Sequence, residues 1–185
     1  MINQTHFQEW TTESAVHPEI VKLNVQSFSK HEDWSPDCKL FDFLTPNPKR
    51  TNSGRLDAGG LRKYDKCLDS SGWGVNGIDP QTWDEMEWGR FKPDPDSLLA
   101  QPHFNKKTGQ WDEPPKYLSP SGVPSRAVFL RSPDWTWETI ARRYNVPITP
   151  EDRLRPGGFW QWVQNNSVVP IAVSDTHLRA HETQV

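Results

Sequence analysis

The chain has 185 residues, room for one domain or a domain with appendages. Only 34% of its residues are apolar, and no run approaches the 18 or so apolar residues of a membrane-spanning helix. Ten tryptophans exclude a wholly solvated, disordered chain, and a net charge of −3 excludes nucleic-acid binding by bulk charge alone.

In chain order, "THFQEWTTES" predicts a short helix with Thr5 as N-cap and Phe7 and Trp10 on one face. "HPEIVKLNVQSF" predicts a second helix. Pro18 suits its first turn, and Val21, Val25 and Phe28 are its candidate buried residues. Residues 1–28 thus read as a helical N-terminal unit. Residues 29–70 read as a mostly irregular linker with a short strand at "KLFDFL". Residues 71–173 read as an α+β segment. Within it, Trp88 to Lys92 has the alternation of a strand, and "NKKTGQW" reads as a hairpin turn in which Gly109 supplies a positive φ. "PPKYLSPSGVPSRAVFLRS" predicts two short strands around a turn. "SPDWTWETIARRYNV" predicts a helix started by Pro133 or Thr136 and stopped by Pro147. Its stripe is Trp137, Ile140, Ala141 and Tyr144. "RPGGFWQWVQNN" predicts another helix, with Phe159, Trp160 and Val163 inward. The apolar run Val168 to Val173 predicts a buried strand that lacks a partner in this chain. The fold class expected is α+β, with partial cores built on large aromatics.

Charge is uneven. Lys49, Arg50, Arg55, Arg62, Lys63 and Lys66 cluster, Arg126, Arg131, Arg142, Arg143, Arg153 and Arg155 form a second group, and acids gather between Asp79 and Asp96. Either basic group alone reads as solvated surface, though a local basic patch can bind phosphates. "GRLDAGGLRK" has the glycines of a phosphate loop. It lacks the Gly-Lys-Ser/Thr ending and a preceding buried strand, and reads as a flexible basic loop. Asp84, Glu85 and Glu87 have no supporting His or Arg at useful spacing and read as a solvated acidic face. Trp137 and Trp160 read as core; Trp73 and Trp88 are open to ligand contact. Cys38 and Cys67 have neither CxxC spacing nor a paired His, so they read as ordinary thiols of a reducing cytosol. "MINQTHFQEW" has no basic start or apolar run, so a cytoplasmic protein without a signal peptide is expected.

"GWGVNGIDPQTWDEMEWGRFKPDPD", "PKYLSPSGVPSRAVFL", "WETIARRYNV" and "FWQWVQNNSVVPIAV", in that order, resemble the N-terminal portion of cyanobacterial-type plasmid replication proteins. In those proteins the segment precedes a TOPRIM-like domain, with a helicase-like part further on. "HPEIVKLNVQSF" is similar to the helix that opens several plasmid and phage primases. "PKYLSPSGVP" is similar to a stretch just upstream of the TOPRIM fold in bacterial primases. The resemblance implies that "VVPIAV" is the first TOPRIM strand, followed in the family by a Thr-Glu-Gly turn bearing the metal-dependent acid. Here Ser174-Asp175-Thr176-His177 follows instead. The chain alone is therefore expected to carry no catalytic residue and no cofactor, with Mg²⁺ belonging to the longer parent.

Asp175 and His177 have the look of a metallophosphoesterase start. Only eight residues follow His177, too few to cage two metals, so the pair reads as a decoy and no metal site is assigned. "SDTHLRAHET" resembles a translated adapter peptide, and residues 174–185 read as a non-native tail. The function expected is a DNA-handling segment of a primase-like plasmid replication protein. Its partners would be a DNA single strand or template and the downstream TOPRIM-like and helicase-like domains, with no membrane. Arg90, Lys92, Lys116 and Arg126 would neutralise phosphates, and Trp88 would stack on a base. Two alternatives predict other behaviour: an interaction module that packs on the TOPRIM-like domain through Val168–Val173, and a carbohydrate binder using exposed tryptophan.

Overall fold

A computed structural model describes residues 1–30, 38–79, 81–82, 84–86, 88–123, 127–154 and 162. Helices and short antiparallel strands occur in separate runs along the chain, so the fold is α+β. The chain divides into two units. The first comprises Met1–Glu9, Val25–Val75 and Glu87–Pro124; the second comprises Trp10–Asn24, Asn76–Met86 and Ser125–Val185. Both draw on non-consecutive stretches of the chain.

The first unit is built on an antiparallel sheet of β1 (Val25–Phe28), β2 (Gly72–Val75) and β3 (Arg90–Pro93), in that order. Gly74 lies opposite both Gln26 and Phe91, and Trp73 lies opposite both Ser27 and Lys92. Side chains alternate across a strand, so the two faces differ. Phe28 and Phe91 share one face, with ring centroids 5.7 Å apart, and join a core with Phe41, Leu44, Tyr64, Cys67 and Leu68. Glycine in β2 is a steric requirement. A Cβ on Gly74 would lie 2.7 Å from the Phe28 ring. One on Gly72, at φ +153°, would lie 2.2 Å from the Lys92 carbonyl oxygen.

That core corrects two expectations. "KLFDFL" is a helix, α3 (Lys39–Leu44), not a strand. Leu40, Phe41 and Leu44 are its buried residues, an i, i+1, i+4 pattern that only a helix gathers on one side. The expected flexible loop at "GRLDAGGLRK" starts as a tight turn and then becomes α4 (Ala58–Leu68). Asp57 caps α4 by accepting the Gly60 N–H at 2.6 Å. Tyr64, Cys67 and Leu68 are the buried residues of α4. The supposed linker thus supplies seven of the nine buried residues of this core.

The other sheet face carries Ser27, Trp73 and Lys92 and is tied to the N-terminus. There α1 (Gln4–Gln8) is capped by Asn3, rather than by Thr5, and a π-helical turn follows at Glu9–Glu13. His6 is buried between Ser27 (Nδ1 to Oγ, 2.7 Å) and Asp94 (Nε2 to Oδ1, 2.8 Å). A separate two-stranded hairpin, β4 (His103–Asn105) and β5 (Gln110–Asp112), turns where Gly109 has φ +69°, as the sequence predicts.

In the second unit α2 (Pro18–Asn24) ends where the predicted second helix continues; the chain enters β1 at Val25 instead. Val21, Val25 and Phe28 are all buried, but the last two lie on strand faces. The best-read element is α5 (Asp134–Tyr144), whose Trp137 and Ala141 join Ile78 and Trp162 in a small core. Tyr144 departs from the expected stripe and is exposed, and α5 stops at Asn145, in the left-handed conformation, before Pro147 is reached. Among the described residues of the stretch expected to hold two strands, Leu118 bridges Phe91 and Phe129 bridges Ile78, each as an isolated bridge. After α6 (Pro150–Leu154) the expected helix with Phe159, Trp160 and Val163, the strand Val168–Val173 and the tail with Asp175 and His177 lie outside the described residues.

Candidate nucleic-acid interface

Arg90 and Lys92 flank buried Phe91 on β3, so the expected shared face is present. Their situations differ. Arg90 and Trp88 are half-exposed. Lys92 donates to Glu9 Oε1 at 2.5 Å and lies 5.8 Å above the Trp73 ring. Its charge is neutralised inside the first unit, which argues against the phosphate-binding part expected of it. Lys116 is exposed, with its ammonium 5.2 Å from the Tyr117 ring. The paired backbones of Phe91 and Leu118 bring this stretch beside β3. Arg126 and Glu87 lie outside the described residues. Trp73, open to ligand contact on sequence grounds, is buried and donates its indole N–H to Glu9 Oε2 at 2.9 Å.

A concave feature of the first unit lies elsewhere. A cleft of about 450 Å³ opens between the end of α3 and the start of α4, lined by Thr45, Asn47, Lys49, Asp57, Lys63 and Ser121 among others. Its walls follow from local sequence. The backbone from Lys49 to Leu56 closes a tight turn: Thr51 N–H donates to Arg55 O at 2.8 Å, and Arg50 Nη1 to Gly54 O at 2.8 Å. Asp57 N–H then donates to Lys49 O at 3.2 Å, setting the loop against the first turn of α4.

Lys63, one turn into α4, donates to the Leu44 carbonyl oxygen at 2.7 Å. Burial lowers its pKa below the ordinary lysine value, because a half-desolvated ammonium loses hydration that one carbonyl does not replace. Thr45 Oγ1 is buried beside it without a hydrogen-bond partner among the described residues. The Asp57 carboxylate already occupies the α4 N-terminus, so the amides there do not form an open anion cradle. What the cleft offers an anion is cations: Lys49 at its lip and Lys63 within, with exposed Arg50, Arg55, Arg62 and Lys66 on the same loop and helix. Residues 49–66 hold six cations against the two carboxylates Asp57 and Asp65.

The sequence showed this cluster but not its shape. Asp57 ahead of Tyr64, Cys67 and Leu68 was the signal for a capped helix, and the two glycines at 59 and 60 masked it. Among the described residues no three His, Cys, Asp or Glu side chains group as a metal site, and no helix is long and apolar enough to cross a membrane.

The chain is similar to an uncharacterized protein of Picosynechococcus sp. (strain ATCC 27264 / PCC 7002 / PR-6), 31% identical over 177 residues. The match covers 94% of this chain but 16% of that protein, so the chain spans about a sixth of the relative's length. No protein-family model and no solved structure matches.

Proposed function

We propose that this chain is the nucleic-acid-handling segment of a longer, primase-like plasmid replication protein, a phosphate-backbone contact that is not catalytic alone. The observation that carries this reading is the cationic cleft and helix of residues 49–66, where six cations outnumber two carboxylates threefold. A polyanion placed there replaces bound counterions and favours the charged form of Lys63, against the burial that disfavours it. The resemblance to replication proteins and the small share of the relative's length agree with a segment working within a larger cytoplasmic protein. TOPRIM-like and helicase-like domains would follow it, and any Mg²⁺ would be held by the TOPRIM-like domain.

The reading also moves the contacts. Arg90 and Lys116 keep a supporting part, whereas Lys92 leaves the interface because Glu9 holds it. The test is binding of the 185-residue chain to a labelled oligonucleotide at about 50 and 200 mM salt, where several phosphate contacts produce a steep fall in affinity. Lys49→Ala with Arg62→Ala should lower the slope of log K against log salt by about 1 per lost contact. Absent binding, or binding indifferent to salt, removes the proposal.

A further inference from the structure

We infer that the β4–β5 hairpin is a stacking platform for single-stranded nucleic acid, with Phe104 and Trp111 receiving bases and the lysines of its tip receiving phosphates. The inference rests on the nucleic-acid reading above and adds the kind of strand it prefers. Phe104 and Trp111 are direct cross-strand partners, so both rings stand on one face of the hairpin. Their centroids are 5.7 Å apart with planes at 66°. Phe104 is 49% exposed and Trp111 68%, the latter the most exposed described tryptophan.

The opposite face has a different chemistry. Asn105 Nδ2 donates to Asp112 Oδ2 at 2.8 Å, and His103 Nε2 lies 3.7 Å from the same oxygen. That carboxylate is thereby kept on the side away from the rings. Asn105 Oδ1 accepts the Lys107 N–H at 3.0 Å, and Gly109 N–H donates to Asn105 O at 2.8 Å. The four-residue turn is thus held by its own bonds, and it presents exposed Lys106 and Lys107 directly beyond the aromatic pair.

An exposed aromatic pair suits a protein partner or a nucleobase. The charge decides between them. Protein-binding patches are depleted of charge at their centre. Here exposed Lys106 and Lys107 form the turn between the two ring-bearing strands and exposed Lys116 follows the hairpin, with Asp112, held on the opposite face, and Glu113 the acids between them. Base stacking with flanking cations is the chemistry of sequence-tolerant single-strand binding, since every base has a π-face and every linkage a phosphate. A duplex buries those π-faces, so the platform discriminates against it.

The experiment compares a labelled 20-nucleotide oligo-dT with a duplex of equal length by fluorescence anisotropy, using the 185-residue chain. Phe104→Ala with Trp111→Ala should weaken oligo-dT binding about tenfold or more. Duplex binding and the salt slope should stay unchanged. Trp111→Phe should retain most of the affinity, and Lys106→Ala with Lys107→Ala should flatten the salt slope instead. Circular dichroism confirms that the variants fold, as expected for exposed side chains. Wild-type affinity for oligo-dT in the double aromatic variant overturns the platform and leaves the cationic cleft standing. So does a change in self-association, measured by sedimentation, without a change in DNA binding. If the unsubstituted chain binds neither oligonucleotide at any salt, the broader reading fails, and the platform fails with it.

Discussion

Glu9 and Trp73, 64 positions apart, meet through a 2.9 Å hydrogen bond from the indole N–H to one carboxylate oxygen, while the other oxygen receives the Lys92 ammonium. One side chain thereby pins the N-terminus, β2 and β3 together. It also explains why Trp73 and Lys92 are structural: their polar groups are already satisfied, and opening them to a ligand would strand Glu9.

Glu9→Ala should therefore lower stability by about 1–3 kcal/mol, since it removes an ion pair roughly three-quarters buried and orphans an indole donor. Glu9→Gln should cost less because the amide oxygen still accepts from Trp73. Urea denaturation of the two variants measures this. Equal midpoints for Glu9→Ala and the unsubstituted chain would show that the clamp contributes nothing.

A second prediction concerns alkaline pH. Burial, reinforced by nearby Cys38, pushes the Cys67 thiol up to about 12 from an ordinary value of 9.0. The folded state keeps its proton where the unfolded state loses it. This contribution is complete below pH 9 and is lost as pH rises from 9 toward 12, at up to about 1.4 kcal/mol per pH unit. Lys63, whose pKa is lowered by burial, works in the opposite sense and relieves a cost as pH rises toward 10.5. Cys67→Ala should be less stable at neutral pH, through its small cavity, yet lose less stability between pH 9 and 11. Parallel stability curves for the two proteins across that range would contradict the assignment.

Within the second unit, Asn24 is the residue whose loss should cost most for its size. Its amide donates to Ile20 O at 2.7 Å and Arg131 O at 2.8 Å, and its oxygen accepts the Arg131 N–H at 2.7 Å. The side chain is buried and imitates a strand partner for Arg131. Asn24→Ala should destabilise by about 2–4 kcal/mol and leave buried backbone groups unpaired. Hydrogen exchange at the Arg131 amide provides the local readout; protection as strong as in the unsubstituted chain would mean that another group replaces Asn24.

The elements legible in the sequence are those decided by neighbours in the chain. The Trp137–Ala141 stripe produced α5, and Gly109 produced the hairpin turn, because helical periodicity and a positive φ are local properties. "KLFDFL" is ambiguous by sequence because six residues with two phenylalanines satisfy either conformation. The packing of α3 against α4 and β3 made it a helix. Strand β1 looked like the end of a helix because Val21, Val25 and Phe28 fit helical spacing. Pairing with β2 overrode that pattern.

The candidate site divides the same way. Composition alone set its charge, six cations clustered in an otherwise mildly acidic chain, and this holds whatever the fold. Which cations remain available was a tertiary matter. Lys92 was withdrawn by a carboxylate 83 positions away, and Lys63 was drawn into a cleft by the Leu44 carbonyl. The sequence by itself determined how much charge and aromatic surface the protein possesses. Only the tertiary structure decided which of those groups pair internally and which face outward, because desolvation and hydrogen bonding act between side chains that the backbone brings together from distant positions.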